Sequence, residues 1–161
     1  MIGIFALVLG TYYAVASTDF YEEQIFEPYL TANAAISHLM LTAIGEESTV
    51  SGAVISSPHF SVVIARGCDG IEAMALFVAA LFAFPATWRL RMPALLICIP
   101  ILALVNVVRI VSLCLISAYY PDLFYVAHTD VWQVLYIGFG LLLFGLWLAW
   151  ATRLPANVPQ A

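Results

Sequence analysis

From Pro93 to Tyr120 the chain reads PALLICIPILALVNVVRIVSLCLISAYY, with one charged side chain, Arg109, in the whole run. A segment that long and that apolar exceeds what the core of a small soluble domain hides. It fits a bilayer, where a helix satisfies its own backbone N–H and C=O groups. Composition carries the same message along all 161 residues: 64% are hydrophobic, 9% are charged and mean hydropathy is +1.01. Soluble domains carry about 25% charged residues. Soluble, disordered and collagen-like classes therefore fall away. A net charge of −5, with no lysine among the cations, is the wrong sign for gripping a phosphate backbone, so nucleic acid is not an expected partner. The three cysteines are too few and too scattered for a disulfide framework.

Four stretches read as transmembrane helices. Residues 1–18 carry no charge; they lack a basic start, and Tyr12 and Tyr13 stand where a cleavage motif would fall, so they read as a retained span rather than a signal peptide. Residues 69–88 end in Trp88, Arg89 and Arg91, which act as interfacial anchors. Residues 93–120 follow, bent by Pro100, and residues 129–152 close the series before Arg153. Between the first two, residues 22–45 show an apolar stripe broken by Glu27, Asn33 and His38, the pattern of an amphipathic or re-entrant helix at the outer leaflet. Residues 49–66 alternate on either side of Ser56-Ser57-Pro58 and predict a small extracytoplasmic β-hairpin. The expected fold is a single all-α integral membrane domain, residues 1–161, with about four spans. Arg89, Arg91 and Arg153 assign the cytoplasmic side, which leaves all ten acidic residues on or near the outer one with Arg66 and Arg109.

An arginine inside a span costs roughly 2.5 kcal/mol or more near the bilayer centre, so Arg109 is a functional hypothesis unless it snorkels to the headgroups. Asn106 lies three residues earlier on the same helical face. Cys68 stands in R-G-C-D-G-I-E, where Gly67 and Gly70 let the backbone turn and approach closely and where the next helix N-terminus would favour a thiolate. Glu72 falls on the same face as Cys68 if the helix starts at the cysteine. Cys98 and Cys114 sit in apolar runs and read as core. His128 lies at the entrance of the last span. The topology puts Cys68, Arg109 and His128 at one depth, and a thiol, an imidazole and a guanidinium are the parts that acyl transfer needs.

GCDGIEA (Gly67 to Ala73), NVVRI (Asn106 to Ile110) and His128 resemble the Cys, Arg and His motifs of the exosortase and archaeosortase family. The VSG-containing segment from Val50 to Ile64 and RGCDGIEA followed by LFAFPATWR are most similar to the exosortase H subfamily. The resemblance covers roughly Val50 to Trp150. It implies a polytopic cysteine transpeptidase of the bacterial inner membrane, working on the periplasmic side without a cofactor. Its implied partners, besides membrane lipids, are exported proteins with a C-terminal sorting signal made of a short motif, a transmembrane helix and a basic tail. By that likeness Cys68 is the nucleophile, His128 the general acid and base, and Arg109 the thiolate or oxyanion stabiliser. Asp69 departs from the small or neutral residue that often follows the cysteine. Glu72 is expected to orient Arg109 or Arg66.

Other readings stay open at this level. A transport or assembly subunit would use Arg109 and Glu72 as a structural ion pair within a helical bundle. A metal site from His38, His59 and His128 has no compact ligand spacing. A serine hydrolase would need a presented nucleophile, and no G-x-S-x-G occurs; Ser56 and Ser57 suit a turn.

Overall fold

The computed structural model describes residues 1–153 and is mostly helical (77%). In chain order its elements are α1 (Ile2–Ala16), α2 (Asp19–Ala43), β1 (Thr49–Ser51), β2 (Val54–Ser56), β3 (Ser61–Val63), α3 (Ile71–Ala83), α4 (Trp88–Tyr119) and α5 (Pro121–Arg153). Two of them, α4 and α5, are long and apolar enough to cross a membrane alone, and α1 with α2 forms a third such segment bent by 79°. The bend has a local cause. The Ser17 and Thr18 hydroxyls donate to the Ala14 and Val15 carbonyls, competing with the helix backbone, and the Thr18 oxygen then caps the next turn by accepting from the Tyr21 N–H. At 13 residues α3 is about 20 Å long, short of the ~20 residues a free-standing span needs. The helices within the expected spans 1–18 and 69–88 are thus 15 and 13 residues long.

Three boundaries differ from expectation. Helix α4 starts at Trp88 rather than 93, because Thr87 is extended and Pro93 falls early in the helix, where it removes one backbone bond without breaking the spiral. Helix α5 starts at Pro121 rather than 129, through a 3₁₀ turn at Pro121–Leu123 and a π-helical turn at Ala127–Val131. The expected two-stranded hairpin is a three-stranded antiparallel meander, β1-β2-β3. Its first arm folds back on itself at Gly52, whose φ of +59° a side chain would resist, so that Val50 pairs with Ile55. Ser56 and Ser57 do serve the second turn: the Ser57 N–H donates to the Phe60 carbonyl at 2.8 Å.

The amphipathic reading of residues 22–45 describes how α2 packs. Its Leu30, Ala34 and Leu41 are buried against Ile55, Phe60, Val62 and Ile64 of the sheet region and Val107, Ile110 and Cys114 of α4. Each Leu, Ile, Val or Phe among them contributes about 1.5–3 kcal/mol when fully buried, so this cluster anchors the sheet to the helices. At the far end, Arg91 donates to the carbonyls of Phe82 (3.4 Å) and Phe84 (3.0 Å), and the Trp147 indole donates to Leu90 (2.9 Å). The end of α3, the start of α4 and the end of α5 thus meet where the inward-assigned arginines lie. The sheet and the Cys68 loop occupy the opposite end.

Candidate functional site

Strand β3 leads into a tight turn in which the Cys68 N–H donates to the Ala65 carbonyl at 3.0 Å. Gly67 holds the third position with φ +84°, the value a type II turn demands of a glycine. Asp69 follows, and its carboxylate accepts from the Gly67 N–H at 3.1 Å and from the Ile71 N–H at 2.6 Å, closing an Asx turn. Helix α3 therefore begins at Ile71 with Gly70 as its cap, not at Cys68. That corrects two expectations: the first helical amide is taken by Asp69, and Glu72 does not share a helical face with the cysteine.

Three helices clamp this loop. The Asp69 carbonyl accepts from the Tyr29 hydroxyl of α2 (2.9 Å) and from the Asn106 amide of α4 (2.8 Å). The Tyr136 hydroxyl of α5 lies 3.2 Å from the Leu102 carbonyl and 3.4 Å from that of Gly70. Gly70 has φ +79°, and a Cβ there would fall 2.6 Å from the Tyr136 hydroxyl and 2.9 Å from Asn106 Cγ. A side chain there would strain the backbone and push Tyr136 and Asn106 aside. Asn106 was legible from its spacing to Arg109; Tyr29 and Tyr136 were missed, and Asp69 stood out only as a departure after the cysteine. Only Asp69 left a signal, as an Asx residue two before a helix start. The tyrosines lie 40 and 66 residues from their partners.

Arg109 is 2% exposed, with an ion pair to no carboxylate among the described residues. Its terminal nitrogen makes a long 3.4 Å contact to the Gly67 carbonyl, its Nε has no partner, and its guanidinium carbon sits 5.9 Å from the centre of the Tyr136 ring. A buried cation so poorly satisfied is costly by itself and strongly attracts any anion that reaches it. It borders a cavity of about 70 Å³, lined also by Gly67, Asp69, Glu72, Gln133 and Tyr136. At about 30 Å³ per water, that admits two or three heavy atoms. The buried Asn106 carbonyl oxygen is likewise without a partner.

Cys68 stands between two of the lining residues and is itself buried. Burial pushes its thiol above the ordinary value; the Arg109 charge pulls it down and the Asp69 charge pushes it further up. The net direction is up, so the resting sulfur is a thiol at neutral pH and its chemistry needs a proton acceptor.

His128 occupies the π-helical turn of α5, a distortion frequent at functional sites, and that turn packs against α4. The ring is half-buried and stacks on Phe124, centroids 5.9 Å apart and planes within 9°. It does not line the cavity; Gln133 and Tyr136 of the same helix do. The structure thus brings together Cys68, Arg109, Asn106, Gly67 and Gly70, and leaves His128 beside them on α5.

Glu72 lines the cavity yet pairs with neither arginine among the described residues. Arg66 pairs with Glu22 instead and covers the Phe26 ring at 4.4 Å. The Arg109–Glu72 pair on which a purely structural reading rested is not formed. The three histidines are on separate elements, His38 bonded to the Ser48 hydroxyl at 2.7 Å, and among the described residues no three His, Cys, Asp or Glu side chains lie close enough to share a metal ion.

Fold and site define an integral membrane protein with a buried cysteine beside a buried, unpaired arginine. The family model for transmembrane exosortases matches residues 2–153, and the chain belongs to the exosortase family. The H-subfamily likeness is compatible with that match. No curated protein matches the chain, and no solved structure does.

Proposed function

We propose that the protein is a membrane-embedded cysteine transpeptidase that cleaves C-terminal sorting signals from exported proteins. His128 takes the Cys68 proton, and the thiolate attacks the scissile carbonyl. The resulting oxyanion gains the Arg109 hydrogen bonds that are unused in the resting enzyme. Collapse breaks the C–N bond, the leaving amine takes the proton from His128, and the substrate stays on Cys68 as a thioester. An acceptor amine, hydroxyl or water then attacks the thioester and returns the thiol. Asn106, Gly67 and Gly70 hold the loop that carries Cys68 beside the cavity, and Glu72 meets incoming groups at its rim.

The observation that carries this reading is Arg109: a guanidinium this buried, with no carboxylate and an idle Nε, is poised for charge that develops during a reaction. The family match supports the reaction class. A four-crossing arrangement, with Arg89, Arg91 and Arg153 inside, puts the site on the periplasmic face of the bacterial inner membrane. There the scissile bond of a substrate lies just above its own transmembrane helix. The test is a hydroxylamine-sensitive adduct on Cys68, trapped with a C-terminal precursor and identified by mass. Normal processing by Cys68→Ala would sink the mechanism.

A further inference from the structure

The three-stranded sheet has two outer edges, β1 and β3. Strand β1 packs against α2 and β3 against α4. The outer edge of β3 has no backbone partner among the described residues. Within β3 the ladder bonds fall on alternate residues: the Ser57 N–H donates to the Phe60 carbonyl at 2.8 Å, the Ile64 N–H donates to the Ala53 carbonyl at 2.9 Å, and Val62 pairs with Ile55 between them. Phe60, Val62 and Ile64 therefore turn their backbone groups toward β2, and Ser61 and Val63 turn theirs away. No hydrogen bond from another element reaches the outward backbone groups of Ser61 and Val63 among the described residues. Val63 is also 60% exposed, against 9% for Val62.

Natural folds normally cover or blunt a free edge because it is a template for another strand. This one runs directly into the nucleophile loop. The turn from Ala65 to Cys68 keeps those two Cα atoms within about 7 Å, and a strand added to a sheet lies about 4.8 Å from its neighbour. An extended chain laid along Ser61 and Val63 and continued past Ala65 would bring a peptide carbonyl level with the Cys68 turn.

We propose that the free edge of β3 is the docking strand for the substrate: the extended segment beside the scissile bond pairs with the N–H and C=O groups of Ser61 and Val63 as a fourth strand. This rests on the peptide-processing reading above and adds how the peptide is held. Backbone pairing sets the register of the carbonyl and leaves side-chain choice to the cavity and its rim.

Proline tests it. At positions 61 and 63 the amide faces away from β2, so Val63→Pro and Ser61→Pro keep the ladder and delete an edge donor. The probe is any membrane-exported precursor whose C-terminus differs, by mass spectrometry, between cells making the wild type and cells making Cys68→Ala. In each proline variant that precursor accumulates at least tenfold, while the variant's membrane level and the rate at which N-ethylmaleimide alkylates Cys68 stay at wild-type values. Val63→Ala, which retains the amide, loses far less than Val63→Pro. Wild-type processing in the proline variants, or equal losses in Val63→Ala and Val63→Pro, overturns the docking strand. If Cys68→Ala changes no C-terminus at all, the catalytic reading falls instead, and with it the substrate this edge was assigned.

Discussion

Arg91 and Arg109 both reach backbone carbonyls from helix α4, at opposite ends of the bundle. Arg91 donates to two carbonyls at the end of α3 and packs its guanidinium 5.1 Å from the centre of the Phe82 ring, so a cation meets the negative end of a helix where the dipole favours it. Arg109 has one long carbonyl contact, a tyrosine face and a cavity. The difference teaches that a carbonyl contact alone does not separate a structural arginine from a functional one. Each leaves its Nε without a partner; what separates them is that Arg91 is half-buried with two carbonyls on its terminal nitrogen, whereas Arg109 is buried, has one long contact and borders a cavity.

The sharpest break of that comparison is to remove each arginine. Arg109→Ala should lower thioester formation by about 10²- to 10³-fold, the usual loss of an oxyanion donor, and Arg109→Lys should not recover it because a point charge lacks the planar fork. Arg91→Ala should leave the rate within about threefold and act on stability, costing about 1–3 kcal/mol, read by thermal unfolding in detergent. Equal rate losses in the two variants would erase the distinction. Gly70→Ala comes next. Its Cβ meets Tyr136 and Asn106 at a positive φ, so it should destabilise the loop by about 1–3 kcal/mol and change the alkylation rate of Cys68 even where the protein still inserts.

The smallest effect is the pH profile of Cys68 alkylation. Because Asp69 raises the thiol and Arg109 lowers it, Asp69→Asn should move the midpoint to lower pH and Arg109→Gln to higher pH. Shifts of the opposite sign would mean that the two charges do not act on this sulfur.

Much of this site was legible before any fold was known. Arg109 stands out because charge is rare in so apolar a run, and Cys68 because glycines flank it. Asn106 follows from helical spacing. Asp69 was seen only as an oddity, although its carboxylate closes the turn that presents the cysteine. The Gly52 turn was overlooked because the residues from Val50 to Ile55 alternate acceptably as one strand. Tyr29 and Tyr136 had no local signature, since an apolar helix accepts a tyrosine at many positions and its hydroxyl finds a partner only through packing.

The sequence by itself determined which segments are apolar enough for a bilayer, where the charges gather and which nucleophile lies at a flexible turn. Those follow from the local cost of desolvation and from glycine's backbone freedom, which act within a few residues. Only the tertiary structure decided that Glu22, not Glu72, pairs with Arg66. It alone left Arg109 with no carboxylate among the described residues, and it alone gave the Cys68 loop three clamps from distant helices. Partners that far apart along the chain meet only when whole faces pack, so their choice depends on the arrangement of the bundle rather than on any segment's own preference.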